Sequence, residues 1–151
     1  MRIAPTIRFA TKEDILQIVE LCEAHADYEK AVYDAEGKVQ LLGKALFGPS
    51  PKFFCLVADK EGTLVGYATY MKQFSTWDAA AYVYMDCLYL KEYVRGLGIG
   101  AKFIDRIRDE GKKIGCDTMQ WQTPTFNVRA INFYERLGAH SKTKERFFLD
   151  I

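Results

Sequence analysis

The stretch YVRGLGIGAKF, Tyr93–Phe103, sets three glycines at alternate positions between an arginine and the start of an apolar-periodic segment. A helix N-terminus presents backbone N–H groups that lack intrahelical partners, and together with the macrodipole they bind phosphate or pyrophosphate. Glycines at Gly96, Gly98 and Gly100 would let phosphate oxygens reach the main chain, and Arg95 adds a charge and a fork of donors. A tight strand-to-helix turn that needs positive φ also selects glycine, so a purely structural reading stays open. Two phosphate motifs are excluded. No GxxxxGK(S/T) occurs, and GxGxxG fails because the third glycine comes one residue early, with too little chain left for further βαβ units.

Downstream of the glycines, Ile99, Phe103, Ile107 and Ile114 share one helical face, and Gly115 is suited to end that helix. Upstream, KFFCLVADKEGTLVGYATYMKQF holds two β-rich runs around Glu61-Gly62, a hairpin signal, and AAYVYMDCLYL supplies a third run of an antiparallel meander. Nearer the start, a short strand Ile7–Ala10 leads to Thr11, which with Asp14 forms a capping box. The stripe Ile15, Ile18, Val19 and Cys22 predicts a helix ending near His25, and Val39, Leu42 and Leu46 predict a second before the breaker GPSP. After the glycines come a fifth strand in DTMQWQTP, a fourth helix in NVRAINFYERLG closed by Gly138, and one or two closing strands within Ala139–Ile151. The pattern predicts a mixed α/β sheet in a single domain over residues 1–151.

Composition narrows the partners. With 21 Lys and Arg against 20 Asp and Glu, the net charge is +1, and no bulk field points to nucleic acid or an anionic membrane. No apolar run approaches the ~20 residues of a spanning helix, which leaves a small molecule or another protein. Cys22, Cys55, Cys87 and Cys116 show neither CxxC nor paired-ligand spacing, and no signal peptide precedes them, so we expect no metal and a reducing cytoplasm.

RGLGIG, Arg95–Gly100, resembles the R/Q-x-x-G-x-G/A signature of the GNAT superfamily of N-acetyltransferases. NVRAINFYERLGA, Asn127–Ala139, is similar to that superfamily's N-x-x-A-x-x-F-Y-x-x-x-G segment, in the same order along the chain. Within the superfamily the chain is most similar to the spermidine/spermine and thialysine acetyltransferases, through ADYEK, YMDCLYL and INFYERLGA. The resemblance implies a sheet of six to seven strands, mostly antiparallel, with four helices and a splay between strands four and five. It implies acetyl-CoA as co-substrate, with pantetheine along Leu88, Tyr89 and Leu90. The diphosphate would lie on Arg95, Gly96, Leu97, Gly98, Ile99, Gly100 and Ala101, and Asn127 and Tyr134 along the thioester arm. The family often dimerises through C-terminal strands, and RFFLDI, Arg146–Ile151, suits a homodimer.

Acetyl transfer to an amine needs a neutral nitrogen, a stabilised oxyanion and a proton for the departing thiolate. An alkyl ammonium has a pKa of roughly 10.4, so a base must take its proton. Asp86 stands where the polyamine group carries a glutamate, among apolar neighbours; it serves either as base through a water or as an ion-pair or loop-capping group. Tyr134 is the expected general acid, against a packing role, for a thiolate whose thiol has a pKa of about 8.5. A backbone N–H at a strand-four bulge near Leu88 is expected to meet the oxyanion. Cys87 reads as a small packed hydrophobe. For the acceptor, Tyr28 and Glu29 resemble amine-pocket residues of the polyamine group, and Asp86 borders the same pocket. Trp77, Tyr84 and Trp121 offer aromatic walls or sheet packing. Two departures weaken the polyamine reading: KAVYDAEGK is mixed in charge, and Cys87 replaces an acid. Amino-acid-like and drug-like amines therefore remain open, as do His25 and His140 as bases. The alternative from another class is a non-catalytic coenzyme A sensor or interaction module.

Overall fold

The computed structural model describes residues 3–151. Its centre is one five-stranded sheet with the strands in chain order. These are β1 (Thr6–Phe9), β2 (Phe54–Lys60), β3 (Thr63–Ser75), β4 (Ala80–Leu90) and β5 (Met119–Trp121). The first four run antiparallel, with β2 and β3 joined at Glu61-Gly62, where both residues have positive φ as the hairpin signal requires. β5 joins β4 in parallel, and parallel strands need a crossover. That crossover is α3 (Ile99–Lys113).

The other helices are α1 (Ile15–Tyr28), α2 (Lys38–Phe47) and α4 (Val128–Arg136). Before α1, Thr11 N–H donates to Asp14 Oδ2 at 2.7 Å, giving the expected capping bond at the start of a 3₁₀ turn. Asp14 is buried, and Arg8 reaches it at 2.7 Å and Asp59 at 3.1 Å, tying β1 to α1 and β2. The guanidinium holds the Asp14 carboxyl below the ordinary range. No breaker follows His25, so α1 runs on to Tyr28.

Alternation along the strands builds a core on each face. Leu56, Val65, Tyr70, Val83 and Met85 pack under Phe103, Ile104 and Ile107 of α3. Cys55, Val57, Leu64 and Tyr67 pack under Ile18 and Leu21 of α1.

One expectation fails. Among the described residues the six to seven strands are five, because residues 139–151 form no regular element and Phe147, Phe148, Leu149 and Ile151 are each at least 80% exposed. A strand exists only by pairing, and β5, at three residues, offers the tail little edge.

Candidate active site

The site begins at a fault in β4. Thr69 pairs with Cys87 and Tyr70 with Met85, which leaves Asp86 as an extra residue in the ladder, a β-bulge. Strand parity changes there. Val83 and Met85 share the α3 face with Leu88 and Leu90, while Cys87 and Tyr89 turn to the α1 face. Pairing of β4 with β5 stops at Met85↔Trp121, one residue before the bulge. β5 itself ends there, and beyond the last pair residues of both strands line a cavity of about 630 Å³.

Each surrounding element supplies part of the wall. β4 gives Tyr84, Asp86, Leu88, Tyr89 and Leu90, and β5 gives Trp121. α1 and its C-cap give His25, Tyr28 and Glu29, the turn into α3 and its first residues give Arg95, Gly96, Gly98, Ile99 and Gly100, and α4 with its N-cap gives Asn127 and Tyr134. Three expected residues lie elsewhere. Trp77 is 95% exposed in the β3–β4 turn, Leu97 borders a second cavity with Tyr93 and Val94, and Ala101 lies within α3 outside the wall. His140 is exposed and also outside it.

The glycines divide their work. Gly96 and Gly98 have φ of +79° and +81°, and a Cβ at either would meet no atom within 4 Å, so the backbone leading into α3 is bare and open. Gly100 is helical, and a Cβ there would come within 3.0 Å of Phe133 Cζ. It therefore lets α4 pack against the first turn of α3. Arg95 donates from Nε to Leu90 O at 2.9 Å, and its guanidinium lies 4.4 Å over the Tyr28 ring. Its remaining N–H groups are left for other partners.

Tyr134 stacks edge-on against Trp121 with ring centres 5.1 Å apart. Burial first, and then the charge of Glu29, push its phenol up to about 12. Asp86 is exposed within the cavity rather than enclosed by apolar side chains. Cys87 donates weakly to Asp86 Oδ2 at 3.9 Å, and burial with that neighbouring carboxylate pushes its thiol up to about 12. It is a packed thiol, as its sequence context suggests. His25 lies in the wall with its pKa lowered to about 4 by burial.

Sequence reasoning passed over three arginines of the wall: Arg129 and Arg136 on α4, and Arg146 in the tail. The first two had a legible signal, since with Phe133 they recur at i, i+4 and i+7 of a helix. With Arg95 they give the wall four guanidinium groups and, in Glu29 and Asp86, two carboxylates. Bare amides at a helix start and several arginines fit a polyphosphate, while carboxylates fit an ammonium. Among the described residues no group of three or more His, Cys, Asp or Glu is placed to hold a metal, and no helix is long and apolar enough to cross a membrane.

Residues 13–139 match the model of the acetyltransferase (GNAT) family. The thialysine N-epsilon-acetyltransferase of Mus musculus is 31% identical over 95% of this chain and 88% of its own. An L-methionine sulfoximine/L-methionine sulfone acetyltransferase of Salmonella typhimurium is 26% identical over 88% of this chain and 78% of its own. Among solved structures, the aminoglycoside N-acetyltransferase AAC(6')-Iy in complex with CoA superposes with a TM-score of 0.80 at 16% identity, covering 96% of this chain and 93% of that one. The chain belongs to the GNAT family. It is an N-acetyltransferase, and acetyl-CoA is its co-substrate.

Proposed function

We propose that this N-acetyltransferase moves the acetyl group directly, within a ternary complex, to a primary amine of a small molecule: a polyamine-like, amino-acid-like or drug-like amine. The observation that carries this reading is that Asp86 and Tyr134 line one cavity, beside the bulge of β4 and beyond the last β4–β5 pair.

When bound, acetyl-CoA supplies the acyl group as a thioester. Gly96, Gly98 and Arg95 bind its diphosphate at the bare start of α3, and Leu88 to Leu90 bind the pantetheine arm along the edge of β4 that β5 no longer pairs with, where Leu90 O already accepts from Arg95. Asp86 accepts, through a water, the proton that the acceptor ammonium loses, leaving a nitrogen lone pair free to attack. The bulged backbone beside Leu88 offers an N–H to the developing oxyanion. Tyr134 Oη gives its proton to the departing thiolate and is reprotonated from solvent. Glu29 and Tyr28 hold a cationic part of the acceptor, walled by Tyr84 and Trp121.

The test is release of free coenzyme A by purified protein with acetyl-CoA and a panel of primary amines. Saturable release with at least one amine supports the reading; tight acetyl-CoA binding with no turnover of any amine rejects it in favour of a sensor.

We also propose a homodimer, because the exposed apolar tail needs a partner strand, and a cytoplasmic setting, which suits four unpaired cysteines. Sedimentation of the full chain against one truncated after Arg146 reads the first: a dimer in both, or a monomer in both, removes the tail from assembly.

A further inference from the structure

Tyr67, His25 and Glu29 form a hydrogen-bonded chain that ends in the cavity wall. Tyr67 Oη is 2.8 Å from His25 Nδ1, and His25 Nε2 is 3.0 Å from Glu29 Oε2, one helical turn on. An ionised carboxylate only accepts, so Nε2 carries the ring proton, Nδ1 is bare, and Tyr67 donates to it. Burial holds the Tyr67 phenol far above its ordinary value and the imidazole far below its own, so both stay neutral through the neutral range. The ring cannot easily turn. Tyr89 stacks on it at 5.3 Å and 23°, and Tyr67 meets it edge-on at 5.8 Å and 75°. The other charges that act on it are Asp86 on β4 and Arg95 ahead of α3.

Glu29 needs such support. It caps the C-terminus of α1, where the macrodipole opposes a negative charge, and burial raises its pKa. Without a donor, that carboxyl would take up a proton more readily or turn away toward water. The neutral imidazole supplies an N–H at fixed range without adding a positive charge that would compete with the acceptor's own.

We propose that His25 is a positioning residue for acceptor recognition: clamped between Tyr67 and Tyr89, it holds the Glu29 carboxylate ionised in the cavity wall, ready for a cationic group of the amine. This rests on the cavity being the acceptor site, and two measurements keep the two ideas apart.

The first is histidine-ring ¹⁵N NMR on the free protein. The proposal expects the Nε2–H tautomer at pH 7, with the tautomer balance altered in Tyr67→Phe. A ring that is protonated at pH 7, or that carries its proton on Nδ1, overturns the proposal whether or not any amine is acetylated. The second is kinetics with 1,3-diaminopropane. His25→Leu and Glu29→Gln each raise KM about tenfold, as expected for one hydrogen bond to a charge, with kcat much less affected. The double variant is little worse than either single one, and His25→Gln, which retains a donor, recovers most of the loss. A loss falling on kcat alone, or fully additive losses, overturns the proposal. Should no amine be turned over, the acceptor reading has failed and the ring measurement alone decides whether His25 positions Glu29.

Discussion

Tyr28 Oη donates a hydrogen bond to Asn127 Oδ1 at 3.2 Å, joining the end of α1 to the start of α4 in the wall of the cavity. The same Asn127 oxygen accepts from Ala130 N–H at 3.3 Å as the N-cap of α4. One atom thus both starts the helix that carries Tyr134 and ties it to the helix that carries Glu29. Tyr28→Phe breaks only the tie and should cost about 0.5 kcal/mol, whereas Asn127→Ala also removes the cap and should cost about 1.5 kcal/mol. Urea denaturation of the two variants measures the difference; equal costs would mean that the cap carries no weight.

Asp86 occupies the bulge, so its side chain is set by a backbone irregularity that a conservative substitution leaves in place. Asp86→Asn should lower kcat/KM at pH 7 by about 10²–10⁴, the range for loss of a general base. The deficit should shrink as pH rises toward the acceptor's own pKa of roughly 10.4, since solvent then supplies neutral amine. A deficit that stays constant from pH 7 to pH 9.5 would remove Asp86 as the base.

Gly98 and Gly100 stand two residues apart and should fail in different ways. At φ +81°, Gly98→Ala places an L-residue in the left-handed region, at about 1–2 kcal/mol, and sets a methyl on the bare turn, so acetyl-CoA affinity falls. Gly100→Ala drives a Cβ against Phe133, so stability falls, and Phe133→Leu in the same chain should restore part of it. Calorimetric titration and thermal unfolding of the single and double variants separate the two. Equal loss of affinity in both would mean that Gly100 also touches the coenzyme.

How much of this could be read beforehand depends on what each signal encodes. The α1 and α3 stripes, the Glu61-Gly62 hairpin and the Thr11–Asp14 capping bond are local, and the structure repeats them. The bulge is not local. AAYVYMDCLYL is apolar nearly throughout because α3 covers one face of β4 and α1 the other, so the change of parity at Asp86 leaves no trace in the hydrophobic pattern. Asp86 itself stood out as the one charge in that run. RFFLDI has strand-forming residues, yet a strand depends on a partner edge that lies outside the segment. The chain Tyr67–His25–Glu29 spans β3 and α1, and no spacing along the sequence brings its members together.

Tyr134 combines burial, an aromatic partner in Trp121 and a raised phenol pKa of about 12. A raised pKa means that the proton is held more tightly in the folded chain, so the acid form is complete at neutral pH and is lost only as pH climbs toward that value. No alkaline limb in kcat below about pH 10 should therefore belong to Tyr134. Tyr134→Phe should lower kcat by about 10²–10⁴ at every pH from 6 to 10 while leaving the acetyl-CoA Kd within about threefold, because the ring and its contact with Trp121 survive. Single-turnover rates and calorimetry across that range check both halves. A variant with full activity, or one whose whole deficit lies in coenzyme binding, would show that the phenol packs the cavity and donates no proton.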